Sequence, residues 1–503
     1  MSLFRTKSIE QSIADTQEPE HQLRKNLGVW DLILFGIGVC VGAGIFVLTG
    51  HAAATNAGPA IALSFLIAGV ACALAALCYA EFASTVPVAG SAYTFTYATL
   101  GELLAWIIGW DLILEFTVGA AALATSFSQY LAVVLDGTWF EIPPAIATAE
   151  NGFVNLPAGL LVLALTAVVI GGITLSSRLN QLVTGLKLLV VLAVVVVGAF
   201  LVKVSNWVPF VPPAEAPATA RGADPLHLPI VQGIFGLDPS VFGIGGVLAA
   251  AAMVFFAFIG FDVVATTAEE TRNPQRDLPR GILGALAIVT VLYMAVSLVI
   301  TGMQNFRDID PDDGAPLATA FDAAGLPFMG DLIAIGACIG LIVVSMILLM
   351  GQTRVAFAMA RDGLLPQGLA RTHPRFRTPY RITLITGVIV AVLAAFVPLS
   401  TLAELVNIGT LAAFVLVSIG VIVLRRTRPD LPRSFKVPWV PVLPILSAVI
   451  CFYLMLNLTL ETWIRFLAWL VIGVVVYFAY SRRHSRLGIA ERTAQSASQA
   501  GRR

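Results

Sequence analysis

The sequence predicts an all-α integral membrane protein with twelve transmembrane helices: two five-helix units of opposite orientation, followed by two further C-terminal helices. Three observations lead there. The 503 residues are 58% hydrophobic and 12% charged, whereas a soluble domain carries about 25% charged residues. Apolar runs recur at the length of about 20 residues needed to cross a bilayer. Lys and Arg concentrate in alternate connections, as the positive-inside rule expects of a multi-span protein.

Residues 1–26 mix both charge signs and lack the apolar core of a signal peptide, so they are expected to form a cytoplasmic tail. The first unit, 27–203, holds spans at about 29–50, 58–84, 101–134, 156–176 and 182–203. Pro87 to Thr94 break the pattern after the second span with a turn and a short amphipathic piece. A Pro- and Gly-rich extracellular loop at 204–244 shows little helical pattern. The second unit, 245–424, holds spans at about 245–270, 281–303, 329–361, 381–398 and 401–424. Residues 425–481 supply the last two, at about 439–458 and 463–481. Residues 482–503 read as a disordered cytoplasmic tail whose basic residues could meet anionic lipid headgroups.

With both termini cytoplasmic, the cytoplasmic side holds 25 of the 30 basic residues. Only Lys187, Lys203, Arg221, Arg307 and Arg465 lie elsewhere. Five spans per unit is an odd number, so the second unit sits inverted relative to the first.

The first span of each unit is interrupted. Gly36, Gly38, Gly42 and Gly44 crowd one apolar run; mid-helix glycine costs about 0.8–1 kcal/mol relative to alanine and leaves backbone groups open to a ligand. In the other, Gly260 and Asp262 follow Phe255 to Ile259. An acid at mid-membrane costs about 2.5–3.5 kcal/mol on insertion scales, so Asp262 must face protein, backbone donors or water. Paired interruptions of this kind point to a midplane transporter site, where helix-start amides near Ala43 and Gly44 can hold a carboxylate and freed carbonyls an ammonium.

Other classes are disfavoured. A net charge of zero argues for no nucleic-acid partner. An enzyme would need a catalytic constellation, yet there is no HExxH or GxSxG motif, and the five histidines lie in tails, loops or helix ends. No repeated filter element suggests a channel. The five cysteines, all in apolar runs without CxxC spacing, read as small buried hydrophobes rather than disulfides or metal ligands, and no cofactor is expected.

Three stretches carry a family resemblance that runs nearly end to end: His21 to Leu32 leading into Gly42 to Gly50, Phe255 to Asp262 leading into Ala268 to Pro274, and Gly351 to Arg354 leading into Met359 to Pro366. Together they resemble the amino acid-polyamine-organocation superfamily, most closely its bacterial cationic-amino-acid-transporter-like branch. The resemblance implies that superfamily's inverted-repeat fold and a permease moving L-amino acids across the plasma (inner) membrane with proton coupling, or alternatively an amino acid or polyamine exchanger.

It also implies a site. Cys40, Val41, Gly42, Ala43 and Gly44 line it from the first interrupted span, and the carbonyls of Cys40, Phe256, Ala257 and Ile259 accept from the substrate ammonium. Phe258 closes over the substrate, or else packs in the core. Ser345 lines the side-chain pocket, or bonds a carbonyl one turn back. Lys187 occupies the place where sodium-coupled relatives of the same fold bind sodium, and so is the candidate proton-coupling residue, unless it snorkels to the headgroups.

The residues themselves add further candidates. Glu115, spaced i, i+4 from Asp111 in an apolar span, either accepts a cationic substrate side chain or bonds neighbouring helices. Asp262 can cap a new helix start. Glu269, Glu270, Arg272 and Arg276 form a gate or structural ion pairs.

Overall fold

The computed structural model describes residues 5, 27–85, 91–149, 152–172, 177–216, 226, 229–235, 241–376, 378–431, 433–489 and 492–493. Most of the first tail, the Pro87 to Gly90 part of the expected turn, and the side chains of Glu269 and Glu270 lie outside them.

The described chain is helical, with isolated β-bridges and no named strand. Its principal helices are α1 (Val29–Cys40), α2 (Ile61–Thr85), α3 (Glu102–Leu135), α4 (Leu156–Ile170), α5 (Ser177–Ala199), α6 (Gly243–Val254), α7 (Pro274–Met303), α8 (Pro327–Arg361), α9 (Tyr380–Phe396), α10 (Leu399–Thr427), α11 (Val442–Leu456) and α12 (Leu460–Val476). Among the described residues eight helical segments are long and apolar enough to cross a membrane, and four apolar helices, α1, α4, α9 and α11, are shorter.

The bundle's outer faces are apolar. Leu182, Leu189 and Phe200 on and just after α5, Ile385 on α9 and Val471 on α12 are all exposed, an arrangement that suits contact with hydrocarbon rather than water. The interior is closely packed, and small residues permit it: a Cβ on Gly36 would fall 2.7 Å from the Ala285 Cβ, and one on Gly281 2.6 Å from the Leu32 Cβ, so α1 and α7 approach at glycine. Two of the buried carboxylates are paired with arginine. Glu81 takes two bonds from Arg425, at 2.9 and 2.6 Å, joining α2 to α10, and Glu102 takes bonds from Arg5, Tyr97 and Tyr477, each at 3.1 Å.

Two segments depart from expectation. Residues 482–489, read from sequence as disordered, include a helical turn at Arg482–His484 and dock on the connection after α8: the Ser481 hydroxyl donates to the Leu364 carbonyl at 2.6 Å and the Arg486 amide to the Asp362 carbonyl at 3.0 Å. Hydrogen bonds to backbone carbonyls, which charge patterning does not report, hold them. The loop after α5 contains a short helix, Ile230–Phe235.

Candidate functional site

The first candidate interruption follows α1. Its last intrahelical bond runs from the Val41 amide to the Ile37 carbonyl at 2.9 Å, and Val41 turns to extended backbone, φ −71° and ψ 92°. Helix resumes with a π-helical turn at Gly44–Leu48 and continues to Ala57. The first amides of that restarted helix have no partner within it, and the last carbonyls of α1 are freed likewise.

The second interruption follows α6. Phe255–Phe258 form a 3-10 turn, Ile259 is extended, and Gly260 has φ 111°, a conformation that side-chain-bearing residues rarely adopt. A 3-10 segment, Asp262–Glu270, completes the crossing. The two interruptions are pressed together. A Cβ on Gly44 would overlap the Cα and Cβ of Ala257 and fall 2.7 Å from its nitrogen, and one on Gly260 would overlap Val39.

Between them lies a cavity of about 20 Å³, lined by Cys40, Gly42, Ala43 and Gly44 on one side and Phe256 and Ile259 on the other. Gly119 and Leu123 of α3, with Val344 and Leu348 of α8, complete its wall. That volume admits about one water, too little for an amino acid. Further along the same helix a recess of about 330 Å³ begins at Val47 and Leu48 and is lined by His51, Gln129 and Asp313.

Lys187 of α5 is buried and meets the end of α1: its Nζ donates to the Gly38 carbonyl and, at 3.1 Å, to the Val41 carbonyl. A cation placed at a helix C-terminus also meets the negative end of the helix dipole. At the second interruption the Asn407 amide of α10 donates to the last-turn carbonyls of Ala252 and Met253, at 2.9 and 3.0 Å.

The remaining candidates lie outside the cavity wall. Phe258 packs edge-on against Phe65 and Tyr293, at 6.4 and 5.2 Å between ring centroids. Ser345 donates across to the Ala120 carbonyl of α3 at 3.2 Å, not to its own helix. Glu115 is buried one turn from Gly119, and its Oε1 has no hydrogen-bond partner among the described residues; nor have the carboxylate oxygens of Asp111.

Two residues escape a sequence reading. Asn407, and Tyr293, whose hydroxyl lies 2.6 Å from the Cys40 carbonyl and 2.8 Å from that of Ala257, are single polar groups in apolar runs. Their only advance signal is that polarity.

A bundle of apolar helices, two of them broken around one shared central cavity, is the build of a membrane permease. The chain belongs to the amino acid permease family, whose model matches residues 27–477. It is 48% identical to the branched-chain amino acid permease BcaP of Bacillus subtilis, over 97% of this chain and 99% of that one. It is 45% identical to the methylthioribose transporter of the same organism, over 97% and 99%, and 33% identical to the vacuolar cationic amino acid transporter 4 of Arabidopsis thaliana, over 97% of each. The family and these relatives are transporters, not enzymes.

Proposed function

We propose that the chain is a secondary active, proton-coupled L-amino acid transporter working by alternating access in the plasma (inner) membrane, with twelve spans in a five-plus-five inverted repeat and two more, and both termini cytoplasmic. The observation that carries this reading is the meeting of two broken helices, with a lysine on the free carbonyls of one. The substrate carboxylate is held by the amides near Ala43 and Gly44, and the ammonium by the carbonyls of Cys40, Phe256, Ala257 and Ile259. Lys187, charged, braces the end of α1 as a bound cation would; neutral, it releases that end and the substrate leaves.

Leu123, Phe256, Ile259, Val344 and Leu348 make the wall apolar, which suits a neutral aliphatic side chain and agrees with the name of the first relative above. Ser345 and Glu115 stand behind that wall. The methylthioribose transporter is nearly as similar, so methylthioribose belongs among the ligands tested.

A thermal-shift screen of purified protein against the twenty amino acids, putrescine and methylthioribose tests the ligand, because binding stabilises by RT ln(1 + [L]/Kd). A shift with methylthioribose alone ends the amino acid reading. Accumulation in proteoliposomes under a pH gradient then separates symport from the alternative, exchange without net proton coupling. Cysteines placed at Thr148 or Ser400 should be labelled from outside, and one at Ser498 should not; the reverse overturns the orientation.

A further inference from the structure

We propose that Tyr293 stands in for the substrate ammonium when the carrier is empty, holding the two broken helices together so that the bundle can change sides without cargo. The inference rests on the transporter reading above. Its basis is an unequal count of donors and acceptors. A tyrosine hydroxyl has one proton to donate, yet it lies 2.6 Å from the Cys40 carbonyl and 2.8 Å from the Ala257 carbonyl. One acceptor belongs to each interruption, and both sit where the helix ladder has stopped. One proton serves two buried acceptors, which is closure with one bond short.

An ammonium group carries three N–H donors and can satisfy both carbonyls at once, so an arriving substrate displaces the hydroxyl. The tyrosine is well mounted for this role. It is fully buried on α7, which runs unbroken from Pro274 to Met303, and its ring is fixed between Phe65 and Phe258 at 5.4 and 5.2 Å. The one other hydrogen bond that links the interruptions directly among the described residues is weak: the Cys40 thiol lies 3.6 Å from the Phe258 carbonyl. Without the hydroxyl, an empty carrier that closes buries both carbonyls unpaired, whereas a loaded one does not.

The consequence is specific to the empty step. Net uptake requires the empty carrier to return; exchange of one substrate molecule for another does not. In proteoliposomes carrying the full chain, radiolabelled L-isoleucine is followed in two modes: net uptake under a pH gradient, and counterflow into vesicles preloaded with L-isoleucine. Tyr293→Phe should lower the ratio of net uptake to counterflow by about tenfold, the scale of one buried hydrogen bond. Equal losses in both modes, or an unchanged ratio, overturn the inference while leaving the transporter reading intact. Absence of counterflow in the parent, with L-isoleucine and with every amino acid that raises its unfolding temperature, overturns both.

Should the phenylalanine variant fail to fold, 3-fluorotyrosine at position 293 keeps ring and hydroxyl. Its fluorine resonance should move on adding L-isoleucine and stay in place with 3-methylpentanoate, which lacks the amine. A resonance that ignores L-isoleucine, or answers both compounds alike, overturns the inference.

Discussion

The two interruptions meet in space but are finished by different chemistry. The carbonyls freed at the end of α1 are taken by a titratable amine, Lys187, and those at the end of α6 by a neutral amide, Asn407. Both devices answer the same demand, since unpaired backbone groups inside a bilayer cost several kcal/mol each. Only one of them can change its charge. An ammonium can lose its proton and with it part of its hold on α1, while the asparagine bonds identically at every physiological pH. On the coupling role proposed for Lys187, the pair sets a switchable joint beside a fixed one, and substitutions at each should fail in different ways.

The largest effect is expected at the switchable joint. Lys187→Ala should abolish proton-driven accumulation in proteoliposomes, and the parent should show no sodium requirement. A variant that still concentrates substrate when external pH is lowered, or a parent driven by a sodium gradient, removes Lys187 from the coupling mechanism.

Next comes the contact between the interruptions. Gly44→Val places carbon where the Ala257 backbone already lies, so it should abolish ligand-induced thermal stabilisation and also lower the unfolding temperature of the free protein, because backbone cannot yield as a flexible side-chain tip can. Ligand affinity equal to the parent's would place the site elsewhere.

At the fixed joint the effect is smaller. Asn407→Ala leaves the Ala252 and Met253 carbonyls without their side-chain donor, a loss of about 1–3 kcal/mol that should appear as a lower unfolding temperature. Because nothing titratable has been removed, the pH profile of the remaining transport should keep its shape. A displaced profile would mean that the two joints are one coupled device.

The contrast also shows how far the chain could be read in advance. Glycine spacing and Asp262 mark the stretches where helix stops, because a broken helix has a local cause written in neighbouring residues. What finishes each break is not local: Asn407 lies 155 residues from Ala252, and Tyr293 253 residues from Cys40. Hydropathy locates apolar chain rather than helix, which is why α7 begins at Pro274, a residue suited to a first helical turn, and takes in the polar Gln275, Arg276 and Asp277 ahead of the apolar run expected from 281. An aromatic run cannot say which ring turns where. Phe256 lines the cavity while Phe258, two residues on, packs against Phe65 and Tyr293.

Ser345 should give the smallest effect, and it separates a residue that reads the substrate from one that positions a wall. Its hydroxyl donates to the Ala120 carbonyl across the α3–α8 contact, next to Gly119 and Val344, which do line the cavity. Removing the hydroxyl by Ser345→Ala costs one neutral hydrogen bond, about 0.5–1.5 kcal/mol of stability. Ala120 lies mid-helix in α3 and keeps its place in that helix's own ladder, so no acceptor is orphaned. Discrimination among aliphatic substrates should then change by less than about threefold, whereas trimming the wall itself by Val344→Ala removes carbon from a hydrophobic pocket, a change worth about 10- to 200-fold between substrates differing by a methylene. Competition of L-alanine, L-valine and L-isoleucine for uptake measures both variants on one scale. Should Ser345→Ala shift the ranking as strongly as Val344→Ala, the serine faces substrate in the conformation that binds it, and the interface seen here opens when the carrier does.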